Sequence, residues 1–182
     1  AQLSRGLGDV YKRQVRNNIN VELEGSFTET AMYGFYYNND NGHTDNHTHI
    51  NHKHPSCNSN ELYKGVLDDN ATGVFNGKVN VWKDAQQTNA FQANNNILLS
   101  DDATVNSKPE LEIYADDVKC SHGSTTGQLD EGAMFYLQAR GISKERAVKM
   151  LLNAFAEETT ERIASDAVRE LVSNHLLESI GA

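Results

Sequence analysis

Residues 15–126 break their apolar content into short runs, each ended by residues that favour corners. Val21-Glu22-Leu23, Gly73-Val74-Phe75, Lys78-Val79-Asn80-Val81, Ile97-Leu98-Leu99 and Leu111-Glu112-Ile113-Tyr114 are such runs. Asn38-Asn39-Asp40-Asn41-Gly42, Asn76-Gly77 and Asp101-Asp102 are read as the turns between them, because Asn, Asp and Gly accept left-handed backbone most readily. Many short strands with polar corners suit a sandwich, a barrel or a β-solenoid. No repeat of fixed length is visible, so periodicity alone leaves the three open.

The texture changes near Gly127. Leu129–Arg140 fits a helix with Asp130 as N-cap and Gly141 as its stop. A second helix is expected after Ser143, burying a face of Ala147, Met150, Leu151, Ala154 and Phe155. A third is expected near Ser165, where Val168, Leu171, Val172, His175 and Leu176 repeat that spacing. Three segments follow: 1–14 as a non-native leader resembling translated adapter sequence, 15–126 as the β part, and 127–182 as a small helical domain.

Charge narrows the function classes. Sixteen Lys and Arg against twenty-five Asp and Glu give a net charge of -9. Such a chain repels phosphate backbones, so no nucleic-acid partner is expected. With no long apolar run and a mean hydropathy of -0.61, no membrane partner is expected either. Cys57 and Cys120 could form at most one bridge, and no signal segment opens the chain, so a reducing cytoplasmic location is expected.

Two constellations could carry chemistry. Five of the seven histidines lie between His43 and His54. On a strand His47 and His49 share a face, and imidazoles so placed could hold zinc or iron; alternatively they are polar rung residues. Cys120-Ser121-His122-Gly123 likewise puts Cys120 and His122 on one side of a strand. A thiolate beside an imidazole suits zinc, copper(I) or an iron–sulfur cluster, or a nucleophile pair, against the plain alternative of a buried Cys and a satisfied His. Asp68-Asp69, Asp101-Asp102 and Asp116-Asp117 read as solvated corners, and Trp82 as a core or rung residue. There is no G-x-x-x-x-G-K-[ST], C-x-x-C, G-x-S-x-G or H-E-x-x-H, so the chain is not expected to bind nucleotide through a P-loop.

A resemblance goes further than spacing. Asn94–Ala103 followed by Lys108-Pro109-Glu110-Leu111-Glu112-Ile113-Tyr114-Ala115-Asp116-Asp117-Val118-Lys119-Cys120-Ser121-His122-Gly123 resembles the SufB/SufD core family of the SUF iron–sulfur cluster assembly system. Glu61–Asp69, Gly73–Lys78, Phe135-Tyr136-Leu137 and Arg140-Gly141-Ile142 continue it in one register from about Val15 to Glu158. Lys119–Gly123 is more similar to SufD than to SufB, and Asp45, His47, Thr48, His52, Pro55 and Cys57 match a pattern common in SufD relatives. The N-terminal region and first coils of such proteins have no counterpart here, so a C-terminal portion is expected.

The resemblance implies a mainly β fold, a truncated right-handed parallel β-helix followed by a small C-terminal helical domain. It also implies a non-catalytic scaffold that pairs through its β-helix with a SufB-like subunit and docks a SufC-like ATPase on its helical domain, around Leu129–Ile163. A transient iron–sulfur cluster, shared with the SufB-like partner, would involve His122 as cofactor and metal ligand, with Cys120 as its neighbour at the interface. The alternative is a metal-dependent β-helix enzyme using His43–His54, with His47 and His52 indispensable.

Overall fold

The computed structural model describes residues 14–181. Eight strands come first: β1 (Gln14–Leu23), β2 (Glu29–Asn38), β3 (His43–His52), β4 (Asn58–Leu67), β5 (Thr72–Val81), β6 (Thr88–Leu98), β7 (Thr104–Ile113) and β8 (Val118–Gly127). Three helices follow: α1 (Glu131–Gln138), α2 (Lys144–Thr160) and α3 (Asp166–Gly181). Of the sequence reading of 1–14, only Gln14 falls within the described residues, as the first residue of β1.

One sheet has the order β1-β3-β5-β7 and the other β2-β4-β6-β8, with every neighbouring pair parallel. Each coil of chain therefore gives one strand to each sheet, and the β part is a parallel solenoid of four coils. Gln14 lies beside His43, His43 beside Thr72 and Thr72 beside Thr104, steps of 29, 29 and 32 residues. That repeat is invisible in the sequence because the rungs share position, not residue type.

Alternation explains the rungs: β5 reads half-buried, buried through all ten positions. The strands are ten or eleven residues long, longer than the short apolar runs suggest. The reason is that the interior accepts polar residues. Thr44, Asn46 and Thr48 of β3 and Gln92, Asn94 and Asn96 of β6 are buried and extend each strand beyond its apolar part. They bond to one another, as in Tyr36 Oη donating to Asn96 Oδ1 (2.7 Å) and Asn96 Nδ2 donating to Asn94 Oδ1 (2.8 Å). The apolar core occupies the ends of the coils: Leu23, Ile50, Val79, Val81 and Ala90 at one, Tyr36, Leu67, Ala71 and Ala103 at the other.

The corners repeat as well. Phe27, Ser56 and Gln87 have φ near 60°, and Asp40 and Asp69 have φ of 52°, at equivalent places in successive coils. Asn39–Gly42, directly after β2 ends at Asn38, and Asp101-Asp102 lie between strands as expected, and so do Asp68-Asp69 and Asp116-Asp117. Asn76-Gly77 does not: it sits inside β5, where Gly77 is buried and leaves room for a side chain from the facing sheet. Trp82 is 52% exposed and begins the corner after β5, so it is not a core residue.

Asp130 caps α1 by accepting from the Ala133 amide (3.0 Å), and Ser143 caps α2 by accepting from Arg146 (3.3 Å). Gly141, with φ of 81°, takes the left-handed position after α1. The buried face of α2 differs from the one expected. Ala147, Leu152, Ala156, Thr159 and Thr160 are buried, whereas Met150 is 42% exposed and Ala154 is exposed. The helix is turned so that Leu152, Val148 and Phe155 pack on Val66, Phe35, Tyr37 and Ile97 of the second sheet. In α3, Val168 and Leu171 are 47% and 70% exposed, so the expected stripe is not a buried face there; the Leu176 side chain lies outside the described residues.

Lys64 fixes α2 to the solenoid. Its side chain is 4% exposed, its Nζ donates to the Phe155 carbonyl (3.0 Å) and pairs with the Glu158 carboxylate, and it lies 4.3 Å from the Phe155 ring centroid. Lys64→Ala is expected to lower stability by about 2 kcal/mol, with faster amide exchange in α2 while β5 stays protected. A Cβ at Gly77 would overlap the Phe75 ring and the Gln92 amide. Gly77→Ala should therefore lower the urea midpoint by an equivalent of roughly 1–3 kcal/mol.

Candidate functional site

β8 is the last rung of its sheet, paired to β6 on one side only. Val118, Cys120, His122 and Ser124 stack on Thr88, Ala90, Gln92 and Asn94, all of which point inward. Cys120 and His122 thus share a face, as period-two spacing requires. Ser124 confirms the direction, since its Oγ meets Ser107 Oγ of β7 across the coil (2.8 Å). Cys120 is half-buried against the core cluster that also holds Leu111 and Val118, and burial pushes its thiol pKa up. His122 is exposed because no rung covers it among the described residues.

Beneath His122 runs a polar file that sequence reasoning missed. Gln92 is one rung below it, and Glu61 is one rung below Gln92. Both are 3% exposed, and Gln92 Nε2 donates to Glu61 Oε2 at 2.6 Å. Gln92 Oε1 and Glu61 Oε1 are buried without partners. Burial pushes the Glu61 carboxyl pKa up, opposed by the hydrogen bond from Gln92. The only signal that could have found this file is the coil repeat of 31 and 30 residues linking positions 61, 92 and 122.

The histidine-rich stretch disperses. His47 and His49 do lie together on the outer face of β3, where His47 Nε2 meets Asp45 (2.8 Å) and Asp45 meets Arg16 (3.1 Å). His52 is fully buried inside, its Nε2 2.9 Å from Ser59 Oγ. Among the described residues no three His, Cys, Asp or Glu side chains come together to hold a metal ion. The convergence that a metalloenzyme based on His43–His54 requires is therefore missing: His47 and His52 are on opposite faces of one strand, and His54 lies in the corner beyond it.

Burial pushes His52 down from 6.5 to about 4. Between those values the unfolded chain binds more protons than the folded one, so stability falls as pH drops through this window. The full loss is roughly 3 kcal/mol, and Glu61, shifted upward, works in the opposite sense. Urea unfolding at about pH 7 and about pH 4.5 should show a smaller acid loss for His52→Gln than for wild type; equal losses would remove His52 as the cause.

The chain matches the family described as SUF system FeS cluster assembly, SufBD core domain, over residues 1–155. It is 39% identical over 158 residues to the iron-sulfur cluster assembly protein SufD of Escherichia coli, covering 87% of this chain and 37% of that protein. It is 40% identical over 162 residues to protein ABCI7, chloroplastic, of Arabidopsis thaliana, covering 88% and 34%. To a SufBD family protein of Synechocystis it is 40% identical over 148 residues, covering 81% and 33%. The chain thus spans about a third of the length of these relatives. The family match over residues 1–155 and this level of identity agree with the coiled parallel β body, and the chain belongs to the SufBD core family of iron–sulfur cluster assembly proteins.

Proposed function

We propose that this chain is the scaffold part of a SufD-like subunit, non-catalytic in itself, on which an iron–sulfur cluster is assembled together with a SufB-like partner. The observation that carries the reading is the uncovered last rung, where Cys120 and His122 face the same way at the open end of the solenoid. A cluster iron takes thiolates and, at times, an imidazole. Two such donors cannot complete a ligand set, so the remaining bonds come from a partner seated on that end. His122 is exposed and its ring is accessible, whereas Cys120, with its raised thiol pKa, must lose its proton on binding. The cluster is cargo, held transiently and shared across the interface.

The helical module supplies the second contact. Phe135 and Tyr136 of α1 are 74% and 55% exposed, and Arg140 stacks on the Tyr136 ring at 3.7 Å. Exposed aromatics beside a guanidinium are favoured at protein interfaces, and they lie in the Leu129–Ile163 region expected to dock a SufC-like ATPase. Hydrolysis belongs to that partner, since this chain has no P-loop sequence. No helix among the described residues is long and apolar enough to cross a membrane.

Co-expression with SufB-like and SufC-like partners, followed by anaerobic purification, tests the reading. His122→Ala should leave the complex intact and reduce iron and sulfide content severalfold. Unchanged content would reduce His122 to packing, and failure of wild type to form a complex would sink the scaffold reading.

A further inference from the structure

The polar file under His122 is built in a way that packing alone does not explain. Gln92 turns its NH2 to Glu61, so its carbonyl oxygen faces elsewhere. That oxygen is buried and unpaired. The amide occupies the space left by Gly77 of the facing sheet, where any Cβ would strike its nitrogen. Adjacent parallel rungs are about 4.8 Å apart, within reach of a glutamine amide and an imidazole in register, and the residue in register above Gln92 is His122. His122 makes no hydrogen bond of its own among the described residues while exposed on the last rung.

We propose that Gln92, bonded to Glu61 and seated over Gly77, is the positioning residue for His122: its unpaired Oε1 is the buried acceptor offered, one rung below, to the N–H of one ring nitrogen, which leaves the other nitrogen free for iron. This rests on the reading of His122 as an iron-binding residue. An imidazole bound to metal commonly donates its second nitrogen to a buried acceptor, which sets tautomer and ring orientation. Gln92 is the buried acceptor in register with His122, and Glu61 keeps its amide from flipping. Neither residue touches iron itself.

The test uses the chain labelled with nitrogen-15, at about pH 8, where an ordinary imidazole is neutral. Long-range proton–nitrogen NMR reads the His122 tautomer directly and needs no metal. Wild type should show a single tautomer, with a mixture in Gln92→Leu and in Gln92→Met, the second variant guarding against a local packing fault. The reciprocal exchange Glu61→Gln with Gln92→Glu keeps one amide–carboxylate bond and an acceptor under His122, and should restore the single tautomer. In the complex with both partners, Gln92→Leu should lower cluster retention about tenfold, and the exchange should recover it. An unchanged tautomer in a folded Gln92→Leu chain would overturn the proposal. If the tautomer shifts while His122→Ala leaves cluster content intact, positioning holds and the iron-binding reading falls. If His122→Ala loses the cluster but Gln92→Leu changes neither tautomer nor retention, the iron-binding reading stands and the positioning role falls.

Discussion

In-register parallel stacking of the coils is the constraint on which the rest depends. Each inward side chain lies over its counterpart one coil earlier, so a polar residue can be buried when its vertical neighbour completes its bonds. Asn17 Nδ2 donates to Asn46 Oδ1 at 2.8 Å and Gln92 Nε2 to Glu61 Oε2 at 2.6 Å, over separations of 29 and 31 residues; on the outer face Asn89 Nδ2 donates to Asn58 Oδ1 at 2.7 Å in the same register. The corners obey the same rule, with the Ser56 amide donating to the Gln86 carbonyl and the Gln87 amide to that of Asp117. Such a structure is stabilised rung by rung, and a rung at its end has one neighbour instead of two.

That asymmetry sets β8 apart from the inner rungs. The side chains that would be sealed in an inner coil are half-open there, so Cys120 touches the core while His122 meets solvent. Chemistry at an open rung is inherently shared, because whatever covers it must bring the missing atoms. The interior behind the rung is polar, with Gln92 and Glu61 buried directly beneath His122.

The helical module is tied to the same sheet. Lys64 and Val66 of β4 hold α2 through a charge-assisted contact and through Leu152, and β4 leads to β6 and then β8 by direct pairing. A force on α2 is therefore received by the sheet that ends in the Cys120 and His122 rung. For a subunit expected to meet an ATPase at one face and a cluster at another, this is a continuous packed path, not a flexible tether.

How much of this was legible depends on how local the cause is. Asp130, Ser143 and Gly141 were readable because a cap needs only the residues of one turn. The shared face of Cys120 and His122 followed from strand period, and the two textures followed from composition. Asn76-Gly77 misled because the pair that makes a tight turn also makes a gap in a rung, and only the facing Gln92 distinguishes the two. The α2 face was displaced because its partners, Val66 and Phe35, lie more than eighty residues away.

By itself, the sequence determined the mainly β body, the helical end, the capping residues and, through resemblance, the family. Tertiary structure alone decided which polar residues go inside and that positions 61, 92 and 122 form one file. The physical reason is that a solenoid buries residues against neighbours a full coil away, whereas periodicity reports only on neighbours within a strand.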